Sequence, residues 1–130
     1  MQKGKRYRKL LKIQSFMKAY HKIELEGLHN QLSACEEETR ALFSLMEKEK
    51  APDFLDVNFL AQRLQRIAKT EKHLQGQIVE KKQIVHEASS RLQRLEEKCK
   101  EVKVIEERQQ FSNMLEDYIA DKMIKNVSLT

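Results

Sequence analysis

The sequence predicts an all-α protein: two long helices forming an antiparallel coiled-coil hairpin, with helix two overhanging at the C-terminus. Three observations carry this. From Leu60 to Val102 the chain can be stepped through by four and three, and eleven of the thirteen positions met are apolar; only Glu71 and Lys81 break the stripe. Such a 4–3 alternation lines one narrow face of a single helix, which needs a partner helix to leave water. The composition is that of long helices, with 35% charged residues, 6% aromatic, three glycines and no tryptophan. The third observation is Pro52, the one proline of the chain. It disfavours helix at Ala51 and removes a backbone donor, so it separates the two helices.

Helix one is expected from about residue 6 to about 49, after a frayed start at 1–5. Its apolar positions include Tyr7, Leu10, Ile13, Met17 and Tyr20, then settle into a 4–3 series at Leu25, Leu28, Leu32, Cys35, Thr39, Leu42 and Met46. The step of eleven between Met17 and Leu28 would relax a left-handed supercoil locally. Gly27 and Gly76 fall at similar levels of the hairpin, either as a paired weak point or as two tolerated exposed glycines.

The turn spans about 50–56. Asp53 or Asp56 is placed to cap helix two, and Phe54 and Phe59 to plug the end of the hairpin. So short a connector makes the helices antiparallel neighbours within one chain. Helix two runs from about 57 to about 125. At 1.5 Å per residue the helices measure roughly 66 Å and roughly 100 Å, so folding about residue 53 lets helix one cover helix two only to about residue 100. Cys35 then lies level with Glu71 and Cys99 with Tyr7, roughly 40 Å apart, too far for a disulfide. Both cysteines sit on apolar stripes as small hydrophobes in a cytoplasmic, reduced setting.

Net charge is +5, and residues 1–12 alone carry +6, leaving −1 for the other 118. That basic start suits an acidic protein surface, an anionic membrane surface or phosphates, of which the protein surface is preferred. Residues 101–125 overhang the hairpin yet keep an apolar face. Phe111, Leu115, Tyr118 and Lys122 share it, with Met114 and Ile119 on its flank, and such a face reads as a binding surface. The candidate partner-binding residues are therefore Arg6, Arg8, Lys9, Phe111, Leu115, Tyr118 and Ile119.

Catalytic chemistry is not expected. The four histidines lack metal-ligand spacing, the carboxylates alternate with lysine and arginine as on a solvated helix, and no glycine-rich phosphate loop or nucleophile–base pairing occurs. No cofactor, metal or small-molecule substrate is implied, and nucleic acid is disfavoured because no recognition motif accompanies the cations. No run of eighteen apolar residues or secretory signal is present.

The run Tyr7-Arg8-Lys9-Leu10-Leu11-Lys12-Ile13, the following Ile23-Glu24-Leu25, and the closing Lys103-Val104-Ile105-Glu106-Glu107-Arg108 resemble the corresponding stretches of FliJ-type proteins of flagellar and type III secretion systems. The resemblance implies a cytoplasmic stalk that engages the export ATPase ring, the export gate and secretion chaperones. Its membrane association would be peripheral, at the inner membrane and through the export apparatus. The long arm of helix two and the basic start of helix one would form the inserted tip. A structural coiled-coil subunit of a hetero-oligomeric complex is the alternative.

Overall fold

A computed structural model describes residues 2–47 and 57–128. All of them are helical: α1 spans Gln2–Glu47 and α2 spans Val57–Ser128, so the protein is an all-α helical hairpin. The expected break at Pro52, the caps at Asp53 and Asp56, and the plug at Phe54 lie outside the described residues. Phe59 is described and stands 61% exposed, so it does not close the hairpin end. Helix α1 starts at Gln2, ahead of the expected start near residue 6.

The chain divides into two packed units, one of residues 16–89 and one of residues 1–15 with 90–130. In the first, the buried side chains are Leu60, Ile67, Leu74, Ile78 and Ala88, all on α2 and all on the predicted stripe. Each fully buried Leu or Ile contributes about 1.5–3 kcal/mol, so this line of residues holds most of the packing energy. Facing it, Leu25, Leu28, Leu32, Cys35, Thr39 and Leu42 of α1 are half-buried. Met46, the next expected member, is exposed.

Thr39 marks the register of this unit. Its hydroxyl lies 3.0 Å from the Cys35 carbonyl oxygen and 3.4 Å from the Glu71 carboxylate, sharing one proton between two acceptors. The polar position in the α2 stripe is thus matched by the polar position in the α1 stripe, which spares Glu71 an unpaired burial.

In the other unit the half-buried positions are Tyr7, Leu11 and Gln14 on α1 and Ser90, Leu92, Leu95, Cys99, Val102 and Glu106 on α2. Gly4 is buried, and a Cβ built on it would fall 2.6 Å from Glu106 Oε1. A side chain at position 4 would therefore displace the Glu106 carboxylate. Thr39 meets Glu71, and Gly4 meets Glu106, each about four residues further along α2 than folding about residue 53 places them. Cover by α1 accordingly reaches Glu106 rather than residue 100, and everything described from Glu107 to Val127 is exposed.

The expected inward face at the start of α1 also fails. Leu10, Ile13, Met17 and Tyr20 are exposed, at 38–62%. The half-buried positions of α1 are instead Tyr7, Leu11, Gln14, Lys18, His21, Leu25, Leu28 and onward to Leu42. These keep a 4–3 alternation throughout, so no step of eleven interrupts it. Phase explains the difference. The strongly apolar half, Leu25–Leu42, sets which side of α1 faces α2, and a regular helix carries that phase back to its start. Gln14, Lys18 and His21 are drawn inward because they occupy the right azimuth.

Candidate partner-binding surfaces

Naming the α2 stripe by heptad positions, Leu64, Glu71, Ile78, Val85, Leu92, Cys99 and Glu106 are a, and Leu60, Ile67, Leu74, Lys81, Ala88, Leu95 and Val102 are d. Past Glu106 the next a and d positions are Gln109, Asn113 and Glu116, which are polar; Ala120, Met123 and Val127 follow them at a and d, and all six are exposed. Between Glu106 and Ala120 the apolar residues stand elsewhere. Val104, Phe111 and Tyr118 are seven apart and fall at f, on the side of the helix roughly opposite the a/d seam. Leu115 lies beside them at c, Met114 at b and Ile119 at g.

This is the surface anticipated from sequence, and it is open to solvent: Phe111 is 68% exposed, Met114 70%, Leu115 48%, Tyr118 57% and Ile119 50%. The sequence expectation that Lys122 shares the Tyr118 face holds, because its ammonium sits 5.3 Å from the ring centroid. That contact is the one-turn spacing of an i,i+4 pair, with the cation over the electron-rich ring face.

The basic candidates lie on α1. Arg6, Arg8 and Lys9 are all exposed. Arg8 borders a small cleft with Gly4, Cys99, Val102 and Glu106, beside the last layers of the seam. Arg6 and Lys9 occupy c and f of α1, which point away from α2. The fold therefore does not gather the seven candidates into one site. The apolar four stand beyond the end of α1 on the outer side of α2, and the basic three stand on α1 itself.

A polar cluster in the other unit was not foreseen. Lys81 forms an ion pair with Glu24 and lies 3.5 Å from His21 Nδ1. Because an ammonium only donates, a hydrogen bond here requires the tautomer in which Nδ1 is the acceptor. The Tyr20 hydroxyl also donates to Glu24, and its ring meets His21 edge-on at 5.6 Å. Hydrogen bonds from Lys81 and then Tyr20 hold the Glu24 carboxyl below the usual carboxylate value, while Glu24 raises the Tyr20 phenol. Gly27 opens an exposed cleft beside this cluster, lined also by Gln31, Gln77 and Glu80. Further along, Arg63 forks onto Glu38, with Nε donating at 2.8 Å. This is an exposed pair worth under about 1 kcal/mol.

Sequence reading also missed the outer face of α1, where Phe16 is 74% exposed and Ile23 68%. The available signal was the phase of Leu25–Leu42 run backwards, which assigns both residues to f. Both thiols are free and half-buried. Among the described residues no group of three or more His, Cys, Asp or Glu side chains is placed to hold a metal, and no helix is long and apolar enough to cross a membrane. No protein family, curated protein or solved structure matches this chain.

Proposed function

We propose that this chain is a non-catalytic coiled-coil adaptor, acting as a cytoplasmic stalk of a bacterial flagellar or type III protein export apparatus. The observation that supports it most is the apolar face of α2 beyond Glu106, turned away from α1 and left to solvent. A hairpin of this kind works mechanically. The paired length stiffens α2, and the unpaired length offers Phe111, Leu115, Tyr118 and Ile119 to an export ATPase ring, an export gate or a chaperone. Arg6, Arg8 and Lys9 add a cationic contact that steers the approach of an acidic partner.

The test is direct binding of the full chain to the purified hexameric export ATPase of the same organism. Leu115→Asp with Ile119→Asp should abolish binding while leaving helicity unchanged, because both residues are exposed. Loss of helicity along the whole chain would make the tail part of the core and remove the reading.

A second reading is supported by the spacing of the tail. Val104, Arg108, Phe111, Leu115, Tyr118 and Lys122 themselves alternate by four and three, as a seam for one further helix does. On that reading the protein is a structural subunit of a hetero-oligomeric coiled coil. Binding to another coiled-coil chain, with none to the ATPase, would select it.

A further inference from the structure

We propose that the tail of α2 docks on the same tail of a second copy of this chain, the two running antiparallel. The docking face is the outward stripe, with Glu101, Arg108, Leu115 and Lys122 at c and Val104, Phe111, Tyr118 and Lys125 at f. These residues alternate by three and four for about three and a half heptads, long enough for a two-helix seam. All belong to one packed unit of the chain and all are exposed. The c and f positions stand roughly opposite the a/d seam, so a helix laid on them does not meet α1. The inference rests on the reading of this tail as a docking face, and it names what covers that face when no other partner is present.

The stripe selects its occupant because, reversed about the level of Asn113, it is complementary to itself. Phe111 then meets Leu115 of the second copy, Arg108 meets Tyr118, Val104 meets the stem of Lys122, and Glu101 meets Lys125. Each contact occurs twice, as a two-fold axis requires. The centre is apolar, a guanidinium covers an aromatic ring on either side of it, and opposite charges close the ends. On one flank Ile105 meets Ile119, and on the other Met114 meets its own copy. In the free chain the Lys122 ammonium sits 5.3 Å from the centre of the Tyr118 ring. On pairing, Arg108 of the second copy takes that place, and Lys122 moves onto Val104 and beside Glu107. A shallow hollow lined by Lys100, Glu101, Val104 and Ile105 lies where the Lys122 stem arrives. Glu101 leans on the exposed Lys98 at 3.7 Å, a weak contact that it can share. A parallel pair would instead set Glu101, Arg108, Lys122 and Lys125 each against itself. A foreign helix would have to bring a complement that this chain already carries.

The experiment is sedimentation equilibrium of the full chain over about a hundredfold range of concentration, with crosslinking to fix direction. A monomer–dimer equilibrium is expected. Leu115→Asp should weaken it by about tenfold or more at unchanged helicity, because an acid then faces Phe111 on both sides of the axis. Arg108→Glu should weaken it too, since an acid replaces the cation over the Tyr118 ring. Direction is read in chains carrying Cys35→Ala and Cys99→Ala. A disulfide between Phe111→Cys in one copy and Leu115→Cys in another should form faster than either variant forms with itself. Faster self-crosslinking would mean a parallel pair and overturn the proposal. A dimer that survives both Leu115→Asp and Arg108→Glu would lie elsewhere on the chain and overturn it as well. So would a monomer at every concentration, whether its tail then takes an export ATPase, another coiled-coil chain or nothing. ATPase binding by such a monomer would leave the export reading standing, whereas a dimer that never binds the ATPase would remove that reading and support this one.

Discussion

Lys81 and Glu24 form an ion pair across the hairpin, with the Lys81 side chain at a d position of α2 and only 17% exposed. The stripe from Leu60 to Val102 has two polar members, and both are answered by α1: Glu71 by Thr39, and Lys81 by Glu24 and His21. Matched polar layers of this kind make one register cheaper than its neighbours, because a slip of one heptad would set Glu71 against Leu32 or Met46 and take Lys81 away from the Glu24 carboxylate.

The pH dependence follows from Glu24. Its folded value lies below the ordinary 4.5, so its contribution is present above that value and is lost as pH falls through the lowered one. Tyr20 acts in the opposite sense. Its folded value lies above the ordinary 10.0, so its contribution is complete below that value and is lost as pH rises through the raised one. Denaturant midpoints measured against pH should fall at both ends, and Glu24→Gln should flatten both flanks.

Gln14 provides a test of the register. Its Oε1 is buried without a hydrogen-bond partner, at a position the 4–3 phase assigns to the seam. Gln14→Leu should stabilise the protein by about 1–2 kcal/mol, by removing that acceptor and adding apolar contact. Ile13→Ser, one residue away on the outer face, should stay within about 0.5 kcal/mol. Thermal melts of the two variants would reverse this order if Ile13 faced α2.

Leu74 is 4% exposed at the middle of the buried line. Leu74→Ala should cost about 2–4 kcal/mol, as lost transfer energy plus a residual cavity between two helices that cannot close fully. Equilibrium urea unfolding checks it.

Gly27 and Gly76 have nothing within 4 Å of where a Cβ would stand. Alanine at either position should add about 0.5–1 kcal/mol, from the helix preference of alanine over glycine, with no repacking. This favours the tolerated-glycine reading over a paired bend. A loss of stability in either variant would restore the bend.

The fold was legible because Leu60–Val102 repeats its spacing without error and Leu25–Leu42 answers it. The start of α1 was misread because hydropathy and phase disagree there. Leu10, Ile13, Met17 and Tyr20 are the apolar residues, yet Gln14, Lys18 and His21 stand at the azimuth facing α2. Single residues were weighed by type, whereas a continuous helix is oriented by its most apolar stretch. The tail was recognised as apolar and exposed, but its turn away from the seam shows only when the a/d phase is carried past Glu106. The Tyr20–Glu24–Lys81–His21 cluster was hidden because it joins residues sixty apart in sequence, and only the register brings them together.

The angle between the two working faces of α2 is encoded by counting alone. Phe111, at the heart of the outward stripe, stands five positions beyond Glu106, the last a position of the seam. One residue inserted between them would rotate the stripe by about 100° and advance it by about 1.5 Å while leaving its chemistry untouched. Seven would return it to nearly the same azimuth about one nanometre further out. Helix α2 is thus keyed there, and any rigid partner that grips the stripe also fixes the side on which the first turns of α1 are presented.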